Sequence, residues 1–293
     1  MAKDAKSAFC EDSRVKFPTL MHLMGMGFKY VSLKGLKTKY VEAPKTEFDP
    51  LTNILTDYFT DAYCTLNPKA EKKDAEDMLV KIQKSLQNDD LGRQFYNEIL
   101  LNTGERIIDL SSPANFYRNN TFQVTTEMTC GSKDSDNYRP DITIFVNGLP
   151  LAFIEVKKEN NHKGIQAETD RMKQRFVNPQ YRRFLNITQI MVFSNDMEYD
   201  NNEVTPTIGA FYATIGKKNT KYNCFREEGQ DSFPTARHIH QVTPEEEEVL
   251  LRDNNVPQYK NSSEYKTNCL ANTPTKRICD SLFSFNRFHF LLK

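Results

Sequence analysis

The stretch "NGLPLAFIEVKKENN", from Asn147 to Asn161, constrains the fold of this chain more than any other. Its Asn-Gly pair predicts a tight turn, and the apolar run from Leu151 to Val156 predicts a strand buried inside a sheet. This strand carries Glu155, and Lys157 shares its face because successive strand side chains alternate. Burying an uncompensated carboxylate costs several kcal/mol or raises its pKa. The sequence therefore predicts a positive charge beside Glu155.

That positive charge has two candidates. Lys157 alone could form a structural ion pair with Glu155. The other candidate is a metal ion, because Asp141 stands at the head of the preceding strand, "DITIFV". Two converging carboxylates repel each other unless a hard cation lies between them, and carboxylates completed by water suit Mg²⁺. An ammonium beside such a metal can orient a water or stabilise the charge that develops on phosphorus.

The length of the loop decides whether the two carboxylates meet. A two-residue turn would pair residue 146 with 149 and place Asp141 opposite Ile154. Glu155 would then face the other side of the sheet. A three-residue loop with Gly148 in the left-handed region would pair 145 with 149 and bring Asp141 one diagonal step from Glu155. The metal hypothesis therefore predicts a loop of odd length.

Periodicity around the hairpin predicts an α/β fold, a mixed sheet flanked by helices with a helical N-terminal portion. Before Gly104 the apolar spacing is mainly helical, and beyond it alternation and β-branched residues predict strands. Thr243 and the residues after it have the composition of a capped helix start. The predicted helices are 49–63, 70–86, 91–102 and 162–176, and the predicted strands are 121–128, 141–146, 151–156, 186–195 and, at an edge, 207–215.

Charge is informative only locally. The chain has 39 Lys and Arg against 39 Asp and Glu, so its zero net charge neither favours nor disfavours a polyanionic partner. Two stretches are basic: Arg14 to Val41 has six Lys/Arg and no acid, and Lys157 to Arg183 has eight against three acids. Each stretch indicates either an anion-binding face or a solvated helix face.

Cysteine spacing and hydropathy argue against several classes of protein. The six cysteines include no Cys-x-x-Cys and show no ligand-like spacing with the five histidines, which argues against a zinc site or a disulfide framework. No apolar run has the length of a membrane span, and no signal-peptide core is visible. We expect a soluble cytoplasmic protein with reduced thiols and no membrane partner.

The spacing Asp141-x13-Glu155-x-Lys157, introduced by "RPD" and spanning "FVNGLPL", resembles the PD-(D/E)xK nuclease signature. More closely, the chain resembles the N-terminal endonuclease domain of the R subunit of type I restriction enzymes. "NNTFQV" before the hairpin, "ITQIMVFSN" after it and "TPTKRICDSLF" near the C-terminus fit that family in order. The resemblance implies a restriction-endonuclease-like core at 105–240, a helical portion at 1–104 packed on it, and a helix and linker at 241–293 leading toward a motor domain.

The same resemblance implies Mg²⁺-dependent hydrolysis of DNA phosphodiester bonds, with Mn²⁺ as a substitute. Asp141 and Glu155 would hold the metal, with the Val156 carbonyl as a further ligand, and Lys157 would act on the water or the transition state. The implied partners are double-stranded DNA and the modification (methyltransferase) and specificity subunits of a bacterial or archaeal complex. Candidate DNA contacts on the basic flank are Lys158, Lys163, Arg171 and Arg175.

The helix after Lys157 departs from the pattern of related nucleases, which often carry Gln-x-x-x-Tyr there. Gln166 is the nearest match, but the residue four positions later is an aspartate. Arg171 and Arg175 share one helical face and would touch phosphates, form a solvated face or pair with Glu168. What supports the site in place of the missing motif is left open by the sequence.

Three further features of the sequence bear on function. His22 is a candidate accessory residue, with a purely structural role as the alternative. "GAFYATIGKK" lacks the spacing and the Ser/Thr of a phosphate loop, so ATP is expected only through a motor domain that this stretch does not include. The alternative function is a catalytically idle nuclease-fold module that binds DNA or couples to the motor.

Overall fold

The computed structural model describes residues 11–37, 42–102, 104–131, 138–158, 161, 164–199, 209–214, 222–224, 240–254 and 273–282. Nine strands are present in these residues. They are β1 (Lys29–Tyr30), β2 (Leu36–Lys37), β3 (Glu42–Ala43), β4 (Phe122–Thr126), β5 (Ile142–Val146), β6 (Leu149–Val156), β7 (Ile190–Ser194), β8 (Ala210–Thr214) and β9 (Asn223–Cys224).

Helices surround the strands. The α-helices are α1 (Phe17–Gly25), α2 (Thr56–Leu66), α3 (Lys72–Ser85), α4 (Pro113–Asn119), α5 (Gly164–Val177), α6 (Arg182–Ile187), α7 (Pro244–Asp253) and α8 (Pro274–Leu282). A π-helical segment, Asp12–Lys16, runs directly into α1, and a second one spans Phe95–Leu100. Thr243 caps α7 in a capping box with Glu246, as its sequence predicts.

Seven strands form one mixed sheet in the order β1-β4-β5-β6-β7-β8-β9, while β2 and β3 pair separately. The β1–β4 and β6–β7 pairs are parallel and the other neighbours are antiparallel. All eight residues of β6 are buried, which places the β5–β6 hairpin in the middle of the fold. The predicted α/β architecture, a mixed sheet flanked by helices, is confirmed.

The prediction of an odd-length loop in this hairpin is wrong. Val146 pairs with Leu149, so Asn147 and Gly148 form a two-residue turn, and both have the positive φ of a type I′ turn. A Cβ on Gly148 would lie 2.5 Å from the carbonyl oxygen of Leu55, so the turn also needs glycine for its packing.

A β-bulge supplies the missing residue instead. Ile144 pairs with Ala152 while Phe145 pairs with Pro150, which leaves Leu151 as an extra residue in β6. Leu151 and Ala152 consequently both face the larger apolar core, although they are neighbours in a strand. Beyond the bulge, Phe153 faces the second apolar core, and alternation places Glu155 on that same side of the sheet.

The two faces of the sheet carry different cores. The larger core joins one face to the N-terminal helices and includes buried residues of α1, α3 and α8. The smaller core joins the other face to α5 and α6 through Met172, Phe176 and Phe184. The hairpin therefore presents one apolar face to the large core and a face with Glu155 toward α5.

The predicted helix 49–63 begins later than its periodicity indicates. Its helical part starts at Thr56, and Leu51 is exposed. The Asp49 carboxylate accepts hydrogen bonds from the Leu51 N–H and the Thr52 hydroxyl, and Asn53 has a φ of 62°. Such local side-chain bonds compete with helix formation, so these residues form a turn.

The strand predicted at 186–195 is shorter, because α6 continues to Ile187 and β7 begins at Ile190. The strand predicted at 207–215 is present as β8, but it is not at the edge of the sheet, because it pairs with β9 on its outer side. The proposed boundary at residue 104 stays a prediction, although β1 of the N-terminal portion extends the sheet of the core. Within the described ranges, no helix combines the length and apolarity that crossing a membrane requires.

Candidate active site

The bulged hairpin brings the two predicted carboxylates together. Ile142 pairs with Ile154, so Asp141 and Glu155 are the next cross-strand positions. The Asp141 Oδ2 accepts a hydrogen bond from the Val156 N–H at 2.9 Å, which ties this carboxylate to the strand that carries Glu155. Both carboxylates are largely buried, with side-chain exposures of 14% and 6%. The predicted convergence occurs, but through the bulge rather than through the loop.

The Lys157 ammonium lies among oxygens from both strands and from α5. Its Nζ donates to the Val156 carbonyl at 2.9 Å. It lies 3.8 Å from the Asp141 Oδ2, 3.8 Å from the Glu155 Oε2 and 3.7 Å from the Glu168 Oε2. Burial would lower the pKa of this ammonium, but these carboxylates outweigh burial and raise it. Lys157 is thus a cation at the common point of three carboxylates.

Glu155 is held by a buried phenol as well. The Tyr138 hydroxyl donates to the Glu155 Oε1 at 2.7 Å. Burial raises the pKa of Glu155 well above its usual range, and repulsion by Asp141 and Glu168 raises it further. Lys157 and the Tyr138 hydroxyl oppose this shift without cancelling it. The surroundings of Glu155 therefore favour its neutral form over its charged form.

A second lysine reaches the site from the N-terminal helical segment. The Lys16 ammonium lies 2.9 Å from Asp12, 2.7 Å from Glu127 and 3.9 Å from the Asp141 Oδ1. Its side chain is 5% exposed, and the nearby carboxylates raise its pKa above the usual range although burial opposes this. Glu127 takes up this position with a φ of 53°, a conformation that costs a non-glycine residue free energy. The basic stretch from Arg14 to Val41 indicated an anion-binding face or a solvated helix face, but the structure buries Lys16.

Glu11, at the start of the same segment, adds a carboxylate to the surroundings. Burial raises its pKa, Lys157 lowers it, and Asp141 raises it again. Burial also raises the pKa of Asp141, while Lys157 and Lys16 act in the opposite direction. The site thus concentrates negative charge beyond the two residues of the sequence motif.

On α5, Glu168 is buried and holds both of the arginines that were candidates for DNA contact. Its carboxylate is 2.9 Å from Arg171 and 2.8 Å from Arg175. The guanidinium of Arg175 also lies over the Tyr138 ring, 3.8 Å from its centroid. The structure therefore shows the Glu168-paired alternative for both arginines, and a phosphate contact by either stays a prediction. An acid with arginines three and seven residues later is the signal by which sequence could have found Glu168.

The remaining candidates are dispersed. Gln166 is exposed and hydrogen-bonds Asp170 on the outer face of α5, so α5 does not turn it toward the carboxylates. The His22 Nε2 is 2.6 Å from the Asp280 Oδ1 of α8, which gives this histidine a structural contact between helices. Lys158 is exposed just beyond β6, and Lys163 lies outside the described residues.

The donor set suits a hard divalent cation. Asp141, Glu155 and the Val156 carbonyl offer oxygen ligands, which Mg²⁺ prefers, and the ammonium of Lys157 already lies against all three. Among the described residues, no group of three or more His, Cys, Asp or Glu side chains is arranged to enclose a metal. A cation here would therefore depend on two carboxylates, a backbone carbonyl and water.

In a comparison with protein families, the chain matches one family model. The family is described as the type I restriction enzyme R protein N terminus, and its model matches residues 9–204. The match covers more than half of the chain, including the bulged hairpin and the segment that carries Lys16. A search of curated proteins finds no matching relative.

Proposed function

The chain belongs to the family of type I restriction enzyme R protein N termini, and on that premise we propose that its hairpin site hydrolyses DNA phosphodiester bonds with Mg²⁺. This family implies the nuclease domain of the R subunit. The observation that carries the proposal is the convergence of Asp141, Glu155 and Lys157 on one point of a buried hairpin. A purely structural ion pair between Glu155 and Lys157 does not account for Asp141.

Mg²⁺ would be held by Asp141, Glu155 and the Val156 carbonyl. When bound, it supplies positive charge to a phosphate oxygen and lowers the pKa of a coordinated water. The meeting of two largely buried carboxylates at one point supports this assignment. Mn²⁺ accepts the same oxygen ligands and serves as a substitute in tests.

Lys157 has two tasks in the proposed reaction. Its ammonium donates a hydrogen bond to a non-bridging phosphate oxygen and so stabilises the charge that grows there in the transition state. It also orients the attacking water. The water oxygen forms a bond to phosphorus as one phosphodiester P–O bond breaks. One proton of that water passes through solvent to the departing oxygen, which leaves as a hydroxyl group. The raised pKa of Lys157 keeps the ammonium charged during this reaction.

DNA would approach the C-terminal end of β6. Lys158 is exposed there, and Arg171 is 60% exposed on α5. Both are proposed phosphate contacts, because phosphate neutralisation supplies most of the affinity in such binding. The modification and specificity subunits of a type I complex are the proposed protein partners, and a motor domain is the proposed user of ATP.

Nicking of supercoiled DNA by this chain, with Mn²⁺ or Mg²⁺, tests the proposal. The wild type should convert supercoiled to open-circular DNA, and Asp141→Ala should abolish this. Asp170→Asn is a matched control, because it removes a carboxylate from the exposed face of α5. Equal nicking by wild type and Asp141→Ala would contradict the proposal.

Metal titration separates the catalytic function from its alternative. An idle module that binds DNA or couples to a motor should bind DNA without nicking it, whatever the metal. A working site should bind Mn²⁺ in the absence of DNA, and Glu155→Ala should remove that binding. Metal binding that survives Glu155→Ala would place the metal elsewhere and refute the assigned ligands.

A further inference from the structure

Glu168 is a buried acid that the proposed mechanism does not use. It is 1% exposed, while Gln166 and Asp170, two residues before and after it in α5, are exposed. The Glu168 Oε2 lies 2.9 Å from Arg171, and its Oε1 lies 2.8 Å from Arg175. A carboxylate at this depth requires such compensation. Two arginines of α5 therefore pair with one buried carboxylate next to the site.

The contacts of Glu168 close into a ring. Its Oε2 lies 3.7 Å from the Lys157 ammonium, and Arg175 links its Oε1 to the Tyr138 ring at 3.8 Å. The Tyr138 hydroxyl donates to Glu155, and Glu155 lies 3.8 Å from Lys157. Each member of the ring touches two others. The ring joins the helix to the catalytic strand through side chains alone.

From this ring we infer that Glu168 is a positioning residue, which holds the Lys157 ammonium against Asp141 and Glu155 without binding the metal. A lysine ammonium is a point charge on a flexible four-carbon chain, so its place must be fixed from outside. The Val156 carbonyl fixes it from the strand, and Glu168 does so from the helix. This inference rests on the proposed nuclease function.

The geometry explains why Glu168 positions Lys157 and does not bind the metal. The arginines hold its two oxygens at 2.8 and 2.9 Å, which leaves Lys157 as its more distant partner at 3.7 Å. Charge-assisted bonds at the shorter distances are the strong ones. A metal ion at the Oε2 of Glu168 would have to share that oxygen with Arg171. Lys157, by contrast, is guided by Glu168 and stays available to a phosphate.

Glu168→Gln, compared with Asp170→Asn on the exposed face of the same helix, tests the inference. Manganese-dependent nicking by Glu168→Gln should show kcat lowered by about 10- to 100-fold, because small misplacements of a catalytic group have effects of this size. The KM for DNA should stay within twofold, and so should the Kd for Mn²⁺ measured without DNA. Asp170→Asn should match the wild type in all three quantities.

A second measurement does not depend on cleavage. The ¹H–¹⁵N signal of the Lys157 ammonium, assigned by its loss in Lys157→Arg, should be sharp in the wild type and in Asp170→Asn. It should broaden or vanish in Glu168→Gln. If the wild type neither nicks DNA nor binds Mn²⁺, the proposed function fails, while this signal still shows whether Glu168 holds Lys157.

Two outcomes would overturn the inference. A Kd for Mn²⁺ that is at least tenfold weaker in Glu168→Gln would make Glu168 a metal ligand. An unchanged kcat with an unchanged ammonium signal would make it a structural partner of the arginines. Glu168→Asp keeps the charge on a shorter side chain and should retain more kcat than Glu168→Gln. It carries the comparison if the glutamine variant does not fold.

Discussion

Two buried ammonium groups contact different oxygens of Asp141, and the chain holds them in different ways. Lys16 lies 2.9 Å from Asp12 and 2.7 Å from Glu127, so its approach to Asp141 at 3.9 Å is the longest of its three ion pairs. Lys157 lies no closer than 3.7 Å to any carboxylate in the described part of the chain. Lys16 is closely paired, whereas Lys157 is surrounded at longer range.

The difference separates two uses of a buried cation. Close ion pairs compensate the charge of Lys16. Through these pairs Lys16 joins the N-terminal segment to the end of β4, and it also lies near the Asp141 Oδ1. The carboxylates around Lys157 lie at longer distances and bind its ammonium less tightly. A phosphate oxygen can therefore still form a hydrogen bond with it. Removing Lys16 should therefore affect mainly stability, and removing Lys157 mainly the reaction.

The largest effect is expected for Lys157→Met. Loss of one preorganised donor that stabilises transition-state charge lowers kcat by about 10²- to 10³-fold. Nicking of supercoiled DNA with Mn²⁺ measures this loss, and urea unfolding should show a smaller change in stability than in the Lys16 variant. Nicking within threefold of the wild type would remove the distinction between the two lysines.

Lys16→Met should have the next largest effect, and on stability. It leaves Asp12, Glu127 and Asp141 without their shared cation, and breaking a buried pair in this way costs about 3 kcal/mol. The midpoint of urea unfolding measures this change. Nicking, assayed well below the melting temperature, should fall less than in Lys157→Met. A variant that unfolds like the wild type would show that Lys16 does not stabilise the fold.

Glu155→Gln should stabilise the metal-free protein at high pH. Burial raises the pKa of Glu155, so the folded state holds its proton more tightly than the unfolded state. Wild-type stability therefore falls as pH rises from the ordinary carboxyl range to the raised pKa, and the neutral glutamine escapes this loss. The gain should be present at pH 8 and close to zero near pH 4. Urea unfolding in EDTA at both pH values measures it.

The smallest effect is expected for Asp12→Asn. This variant removes one of the carboxylates around Lys16 and leaves the cation in place, so it should cost less stability than Lys16→Met. Lys16 keeps Glu127 at 2.7 Å in this variant. A loss of stability as large as that of Lys16→Met would show that Asp12, and not Glu127, anchors the lysine.

The hairpin and its three motif residues could be predicted from the sequence because their signals are local. Apolar runs, an Asn-Gly pair and a fixed spacing of Asp141, Glu155 and Lys157 all lie within one short stretch. The even separation of fourteen residues between the carboxylates already required an extra residue in the hairpin. The sequence did not say whether the loop or the strand would contain it.

The supporting residues could not be predicted in the same way, because their contacts join distant parts of the chain. Lys16 and Glu127 are 111 residues apart, and only folding shows that a lysine in a basic stretch is buried. The helix predicted at 49–63 was wrong at its start for the opposite reason, because the contacts there are local. Hydrogen bonds from Leu51 and Thr52 to the Asp49 side chain favour a turn over the helix that the apolar periodicity predicts. Glu168 is an intermediate case. Its pairing with Arg171 and Arg175 could be predicted from helical spacing, but its contact with Lys157 could not.

The extra residue at Leu151 also limits which insertions and deletions this hairpin can tolerate in evolution. A single deletion between the turn and Glu155 would leave an apolar, well-formed hairpin in which Asp141 and Glu155 face opposite sides of the sheet. Losing or gaining two residues together would preserve their meeting. Homologous chains that keep the site should therefore differ here by even numbers of residues, and an odd difference should mark a copy that has lost it.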